Sequence, residues 1–188
     1  MENRNQKINR INEIIHLLKV EYPNAECSLK YESPFQLLVA TILSAQCTDK
    51  RVNKVTRQLF KKYPKVKDYI FLKKETLEKI IFSTGFYKNK AKSIIKLSKI
   101  LAKDYDYNVP QRMEELVQLP GVGRKTANVL LGVGFKIPGL VVDTHVMRIT
   151  RLLQITNKKN PDKIELDLMK KVDKRFWICF AHLFIDHG

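Results

Sequence analysis

Apolar residues recur along most of the chain at the three- and four-residue spacing of amphipathic helices. The first such pattern places Ile8, Ile11, Ile15 and Leu18 on one face and stops at Tyr22-Pro23. No segment shows the strict alternation of a half-buried β-strand. The pattern therefore predicts an all-α fold built from helical hairpins.

The second pattern carries a clear helix start. Ser33 is expected at the N-cap and Pro34 at the first helical position, with Gln36 completing a capping box. The run 37–43 that follows is apolar on nearly every side, which predicts a helix in the centre of the core. Asp49 is expected to cap the next helix.

Shorter patterns complete the series of helices. One is expected to end near Thr84-Gly85 and another to run from about Ala91 to Leu101. Further helices are expected at residues 113–118, 124–133, 143–153, 160–171 and 177–187. The outer face of the helix around Ala91 carries Lys88, Lys92, Lys96, Lys99 and Lys103. We interpret this row as a solvated face rather than a track for DNA.

Composition narrows the class of protein. The 188 residues are 44% hydrophobic and 29% charged, which suits a globular core and excludes collagen, a disordered tail and a coiled-coil rod. No apolar run approaches the ~20 residues of a membrane span, and the polar opening does not resemble a signal peptide. The three widely separated cysteines offer neither a disulfide framework nor a CxxC metal site. We expect a cytoplasmic protein with no membrane partner.

Charge adds a candidate partner. Lys and Arg number 35 against 19 Asp and Glu, a formal net charge of +16. Such an excess favours nucleic acid or an anionic membrane as partner. The chain is also rich in Lys, Ile and Asn, as an AT-rich coding sequence would make it, so codon bias is an alternative source of the charge.

The turn at residues 119–123, Leu-Pro-Gly-Val-Gly, lies between two expected helices. Gly121 and Gly123 can adopt positive φ and let a phosphate approach the backbone closely. The helix that begins at Arg124 would direct unpaired N–H groups towards the turn, which makes it a candidate anion site. A plain corner between two helices uses the same residue types. The glycine spacing differs from that of a Walker loop.

Lys125 and Asp143 are the candidate catalytic pair. Lys125 is expected in the first turn of a helix, where the positive helix end favours the neutral amine that a nucleophile requires. A surface lysine that neutralises a phosphate is the alternative. Asp143 follows an apolar segment and precedes a helix, so it could stabilise a cationic sugar or accept a proton from Lys125. Its alternative role is an N-cap alone.

Several motifs together resemble one family. The strings Leu119–Asn128 and Val142–Arg148 are similar to the core of the endonuclease III family of base-excision DNA glycosylases, whose superfamily is named for a helix-hairpin-helix, a Gly/Pro-rich loop and an aspartate. Residues 134–139 correspond to that loop. Residues 44–49, SAQCTD, and 83–91, STGFYKNKA, resemble two further family segments in the same order. The resemblance extends from about Ser33 to Gly188.

The resemblance implies a two-lobed, all-α helix-hairpin-helix DNA glycosylase fold. A six-helix barrel lobe would comprise residues 23–134, and a second lobe residues 1–22 and 135–188. It implies base-excision repair of double-stranded DNA that carries a damaged or abasic nucleotide, by a monomer associated with the nucleoid. The activity would be that of a bifunctional N-glycosylase that removes oxidised pyrimidines and cleaves the abasic site 3′ by β-elimination.

The resemblance also implies residue roles. Lys125 matches the lysine that attacks C1′ and forms a Schiff base, and Asp143 the aspartate that assists it. Gln46 matches the residue that fills the space left by the flipped base, and Phe86 occupies the place of an apolar wedge that is often Leu in this family. The other DNA-contact residues it implies are Leu119, Gly121, Gly123, Arg124, Thr144 and Arg148. Flipping the nucleotide out of the stack is what chemistry at a glycosidic bond requires.

The chain departs from the family pattern at its end. Family members usually continue past the last helix into a C-x6-C-x2-C-x5-C loop that holds a 4Fe–4S cluster, whereas this chain stops at His187-Gly188. Its cysteines match none of the four ligands, so we expect no cluster and no metal in this chain, and we favour truncation over a natural lack of the loop. Two alternatives are a non-catalytic helix-hairpin-helix DNA-binding fragment and a monofunctional glycosylase, which Lys125 opposes.

Overall fold

The computed structural model describes residues 2–188, and in that range it contains helices and no β-strand. The α-helices are α1 (Arg4–Glu21), α2 (Pro34–Ser44), α3 (Asp49–Lys62), α4 (Val66–Ile70), α5 (Lys74–Ile81), α6 (Tyr87–Asp104), α7 (Met113–Leu116), α8 (Arg124–Val129), α9 (Thr144–Leu152), α10 (Pro161–Met169) and α11 (Trp177–His187). Short 3₁₀ helices lie at Phe82–Thr84 and Lys174–Phe176, and a π-helical stretch, Leu130–Gly134, follows α8. The all-α prediction is confirmed.

The chain divides into two compact units. One is residues 28–130, and the other combines the residues up to 27 with 131–188. The two lobes expected from the resemblance are residues 23–134 and residues 1–22 with 135–188. That division stays a prediction. Of the helices described, none has the length and apolar character needed to cross a membrane.

The predicted N-cap and first residue of α2 are confirmed, but the predicted capping box is wrong. Ser33 is the N-cap, its Oγ accepts a hydrogen bond from the Gln36 N–H, and Pro34 occupies the first position. The Gln36 side chain, however, accepts from the N–H of Glu32 at 3.0 Å, one residue before the cap. Gln36 also donates to the carbonyl of Pro64 and is buried, which explains why its side chain turns away from a standard capping box.

The expected cap of α3 is also corrected. Thr48 is the N-cap, and its Oγ1 accepts from the Arg51 N–H. Asp49 is the first helical residue, where its negative charge complements the helix dipole. Its carboxylate accepts a hydrogen bond from Ser28 Oγ, so it ties the chain before α2 to the start of α3.

The core of the unit 28–130 is centred on α2, as its apolar sequence predicts. Leu37, Leu38 and Leu43 are fully buried, and each such side chain contributes about 1.5–3 kcal/mol through removal from water. Helix α6 packs against α2, α4 and α5. The five lysines on its outer face are all exposed, as expected for a solvated face.

The second unit has its own core. Helices α1 and α9 both pack against α11. Ile11 and Ile15 of α1 are fully buried in the same cluster as Phe180 and Phe184 of α11, whose rings stack at 4.3 Å between centroids. The periodicity of the first 22 residues therefore identifies the buried face of α1 correctly.

Candidate active site and DNA-contact residues

The predicted hairpin turn is present between α7 and α8. The N–H of Val122 donates to the carbonyl of Leu119 at 3.1 Å, and the two residues between them are Pro120 and Gly121 with φ +81°. Proline followed by glycine at positive φ is the signature of a type II β-turn. The turn thus explains why this sequence places Pro and Gly in this order.

The two glycines of the turn differ. Gly121 adopts the expected positive φ, and a Cβ built there would lie 2.9 Å from Ser93 Cβ on α6. Gly123 has φ −94°, so it does not use the left-handed conformation that glycine permits. Gly123 is the N-cap of α8, and nothing lies within 4 Å of where its Cβ would be. Gly121 is needed by the fold, whereas Gly123 leaves open space at the helix end.

Lys125 is the second residue of α8 and its side chain is exposed. Within the part of the chain that the structure describes, its ammonium makes no hydrogen bond or ion pair. Arg124, the first residue of α8, is half-buried. Leu119 is only 3% exposed, so this predicted DNA-contact residue belongs to the core and presents little surface to a ligand.

Asp143 lies in the other unit, at the start of α9. Its Oδ1 accepts a hydrogen bond from the Val146 N–H at 2.8 Å, which makes it the N-cap and fixes the carboxylate in place. It is half-buried and follows the buried Val142. The capping role is therefore real, and one carboxylate oxygen performs it.

Two more predicted residues lie on α9. Thr144 and Arg148, one turn apart, are both exposed. Arg148 Nη2 donates to the carbonyl of Gly188 at 2.9 Å. Both residues line a shallow depression of about 520 Å³ that Arg151 shares. This face of α9 is positively charged.

Gln46 and Phe86 share an unusual backbone conformation. Gln46, between α2 and α3, has φ +54°, and Phe86, the N-cap of α6, has φ +47°. Both side chains are exposed, Phe86 to 63%. Left-handed backbone is unfavourable for a residue with a Cβ and is frequent at functional sites, which makes both residues candidates for a functional role.

Lys90 lies in the motif at residues 83–91, but the sequence analysis assigned it no role. It is 6% exposed, and its Nζ donates to the carbonyls of Leu43, Ala45 and Thr84 at 2.9, 2.9 and 2.8 Å. Burial lowers the pKa of this ammonium. A signal was present: Lys90 falls on the buried stripe of α6 with Ile94, at a spacing of four residues.

The described residues form no group suited to a metal ion or cluster. Among residues 2–188 there is no group of three or more His, Cys, Asp or Glu side chains that could hold a metal ion. Cys47 belongs to one compact unit, while Cys27 and Cys179 belong to the other. The expectation that this chain carries no cluster stays a prediction.

Comparison with known proteins agrees with the fold and motifs. The family model for the HhH-GPD superfamily base excision DNA repair protein matches residues 39–174. An endonuclease III of Synechocystis sp. is 50% identical over 183 residues, which cover 97% of this chain and 84% of that protein. A solved non-covalent endonuclease III–DNA complex is 42% identical with a TM-score of 0.92, covering 96% of this chain and 85% of that one. A trapped endonuclease III–DNA covalent intermediate, an estranged-adenine complex, is 43% identical with the same TM-score and coverage.

The superfamily match defines the class: a helix-hairpin-helix protein of base-excision DNA repair. Within that class, the chain belongs to the endonuclease III family of DNA glycosylases and AP lyases. The resemblance found in the motifs is thereby confirmed over most of the chain.

Proposed function

We propose that this chain binds damaged double-stranded DNA, removes oxidised pyrimidines and cleaves the resulting abasic site through a Schiff base on Lys125. The observation that carries the proposal is the position of Lys125. It is exposed and unpaired among the described residues, one residue into the helix that follows the Pro-Gly-Val-Gly turn. A phosphate at that turn would place the sugar of a bound nucleotide beside the lysine.

The proposed chemistry uses two side chains of this protein and water. The neutral amine of Lys125 attacks C1′, and the base departs with the electron pair of the glycosidic bond. The amine proton passes to a carboxylate, a role for which we propose Asp143 because its Oδ1 is fixed by the Val146 N–H. As the C1′–O4′ bond breaks, O4′ takes up a proton and the Schiff base forms. Water then accepts a proton from C2′, and the electron pair of that C–H bond forms the new double bond as the 3′ phosphate leaves. Water hydrolyses the imine and releases the lysine.

Binding is proposed to use the hairpin and the charge of the protein. The net charge of +16 suits the phosphate backbone, and the backbone at Gly121 and Gly123 is exposed at the turn. Exposed Thr144 and Arg148 and half-buried Arg124 would add side-chain contacts, while buried Leu119 would support the turn from the core. A trapped covalent complex with DNA exists for the 43% identical structure, which supports covalent chemistry in a chain of this kind.

Base flipping is proposed to depend on Gln46 and Phe86. Extrusion of a nucleotide leaves a gap in the stack that an inserted side chain can fill. The exposed amide of Gln46 is suited to the gap, and the 63% exposed ring of Phe86 is suited to stack in the opposite strand. Base–aromatic stacking of this kind is worth about 1–3 kcal/mol.

The proposal includes a monomer that performs these steps without an iron–sulfur cluster, since the described residues offer no ligand group for one. Iron analysis and sedimentation of the purified chain test these two statements directly. Stoichiometric iron, or a stable dimer, would overturn the corresponding statement.

Borohydride trapping tests the catalytic assignment. The protein is incubated with a duplex that carries thymine glycol or an abasic site, and borohydride reduces any Schiff base to a stable adduct. Lys125→Gln is compared with Lys99→Gln, which removes the same charge from the exposed face of α6. We expect adducts on both duplexes with the wild type and Lys99→Gln, and none with Lys125→Gln. An adduct that persists in Lys125→Gln overturns the assignment, and DNA binding without any adduct leaves a non-catalytic DNA-binding module.

A further inference from the structure

The ammonium of Lys90 is buried with every donor occupied. A lysine ammonium has three N–H donors and no acceptor, and here three carbonyls receive them at 2.8–2.9 Å. A buried charge without partners is strongly unfavourable, whereas charge-assisted hydrogen bonds of this length offset the loss of water. Lys90 is thus a fixed point within the unit 28–130.

The three carbonyls come from two separate segments. Leu43 and Ala45 lie at the carboxyl end of α2, where the last carbonyls of a helix have no partner within the helix. Thr84 ends the 3₁₀ helix before α6. Because all three bind one nitrogen, the two segments are held within two hydrogen-bond lengths of each other.

Each segment leads within two residues to a non-glycine residue with left-handed backbone. Gln46 follows Ala45, and Phe86 follows Thr84 after Gly85, which itself has φ +71°. Left-handed backbone costs about 1–2 kcal/mol for a residue with a Cβ, and it persists only where the surroundings enforce it. The bonds from Lys90 end one residue before Gln46 and two before Phe86, so they constrain both.

We infer that Lys90 is a positioning residue for DNA insertion: it sets the separation and direction of Gln46 and Phe86 so that both enter the duplex together. The inference rests on the proposed roles of Gln46 and Phe86. Lys90 itself does not reach the DNA, because its side chain is buried and its donors are used within the protein.

The decisive variant is Lys90→Met, which keeps the length of the stem and removes the three donors. Lys92→Met, on the exposed face of the same helix, is the matched control. Both are placed in the Lys125→Gln background, so the duplex is not cleaved during the measurement. A 2-aminopurine beside the lesion reports unstacking by its fluorescence, and the unfolding midpoint of each variant is measured in parallel.

We expect Lys90→Met to weaken the unstacking signal at saturating protein, with Lys92→Met unchanged. In the catalytic background we expect single-turnover excision to slow by about tenfold to a hundredfold, the scale of an ångström-sized misplacement. Binding to undamaged DNA is expected to stay within about threefold for both variants, since phosphate contacts dominate it.

A double-mutant cycle separates positioning from general destabilisation. In a Gln46→Ala/Phe86→Ala background, removal of the Lys90 donors should have little further effect on excision, because the residues it positions are gone. An equal loss in both backgrounds would overturn the inference. If Lys90→Met fails to fold, Lys90→Arg replaces it: the guanidinium keeps the charge but cannot converge on three carbonyls, so the same cycle applies.

The outcomes also separate this inference from the proposed function. If the Lys125→Gln protein unstacks the reporter base and the added Lys90→Met change leaves that signal intact, the role of Lys90 is refuted. The proposed roles of Gln46 and Phe86 are then unaffected. No unstacking with any protein refutes the insertion roles of Gln46 and Phe86 and, with them, this inference. Trapping on Lys125 is independent of both results.

Discussion

Gly121 lies so close to Ser93 that a Cβ on the glycine would be 2.9 Å from Ser93 Cβ and 3.2 Å from Ser93 Oγ. The hairpin turn therefore packs directly on α6, and a hydrogen atom is all that fits between them. Two residues on, at Gly123, the corresponding space is open. The fold therefore requires glycine at position 121, whereas the open space at Gly123 is where a Cβ would obstruct the phosphate that we propose binds at the turn.

Alanine at each glycine should separate these roles. We expect Gly121→Ala to lower the free energy of unfolding by about 2 kcal/mol or more, because it adds left-handed strain and overpacking. Gly123→Ala should cost at most about 1 kcal/mol, the difference between Gly and Ala at an N-cap, yet weaken DNA binding by obstructing the phosphate. Denaturant unfolding and DNA titration measure the two effects. Gly123→Ala binding DNA like the wild type would contradict the phosphate site.

Asp143 offers a similar separation between capping and catalysis. Asn is as good an N-cap as Asp, so Asp143→Asn should keep the bond from the Val146 N–H and unfold within about 0.5 kcal/mol of the wild type. Asp143→Ala should cost about 1 kcal/mol. Both should slow base excision by about 10²–10⁴-fold, the contribution of a positioned proton acceptor. If Asp143→Asn excises at the wild-type rate, the residue is a cap alone.

Tyr69 carries a buried hydroxyl with no hydrogen-bond partner among the described residues. Its ring packs on Phe35 at 5.1 Å between centroids, a contact that phenylalanine would keep. Tyr69→Phe should therefore leave stability unchanged or raise it by about 1 kcal/mol, the cost of an unpaired buried hydroxyl. A loss of more than about 1 kcal/mol in thermal or denaturant unfolding would show that the hydroxyl is paired after all.

Tyr69 also predicts a pH dependence. Burial raises the pKa of Tyr69 above its ordinary value, so the folded protein keeps this proton where the unfolded chain loses it. The corresponding stability is complete below the unfolded pKa of about 10 and decreases as pH rises above it. Tyr69→Phe should resist alkaline unfolding better than the wild type. Identical alkaline profiles would count against this burial.

The carboxylate of Asp167 is expected to make the stability of the protein depend on pH in the acid range. Burial alone would raise its pKa, but hydrogen bonds from Lys171 and Thr156 outweigh burial and hold the pKa below its ordinary value. Lys171 Nζ lies 2.7 Å from Asp167 Oδ2 and also donates to the carbonyl of Ile155. The stability from this carboxylate is present above the unfolded pKa of about 3.9 and decreases as pH falls through the folded pKa.

Asp167→Asn should consequently be less stable than the wild type at neutral pH, and the gap should narrow in acid. Asp162→Asn, exposed on the same helix, controls for the change in net charge. Urea unfolding at a series of pH values gives the comparison. A gap that is independent of pH would assign the effect of Asp167→Asn to packing.

The features predicted well from the sequence are those that local residues decide. Ser33 and Pro34 start α2 because cap and fixed φ act within one turn, and Tyr63-Pro64 ends α3 for the same reason. The five-residue helix α4 was not predicted, since five residues are too few to show a helical period. At the start of α3, Thr48 and Asp49 are both competent caps; Thr48 caps the helix, and Asp49 instead bonds to Ser28, a partner 21 residues away that local sequence does not reveal.

The candidate site follows the same division. Motif spacing predicted Lys125 in the first turn of a helix and Asp143 at a helix start, because both depend on adjacent residues. The partners of Lys90 are 45, 47 and 6 residues away, and only the folded chain brings those carbonyls to one nitrogen. The positive φ of Gln46 and Phe86 was missed for a related reason: propensity assigns such a conformation to glycine.

Those two left-handed residues define a trade-off that protein engineering can measure. Glycine at 46 or 86 would relieve the backbone strain at no steric cost, so a chain optimised for folding alone would carry glycine at both places. Glutamine and phenylalanine at these positions lower the free energy of unfolding by a few kcal/mol in total, but they provide exposed side chains that glycine lacks. If Gln46 and Phe86 act as proposed, glycine at either position would make the protein more resistant to unfolding and at the same time less able to flip a damaged nucleotide out of the duplex.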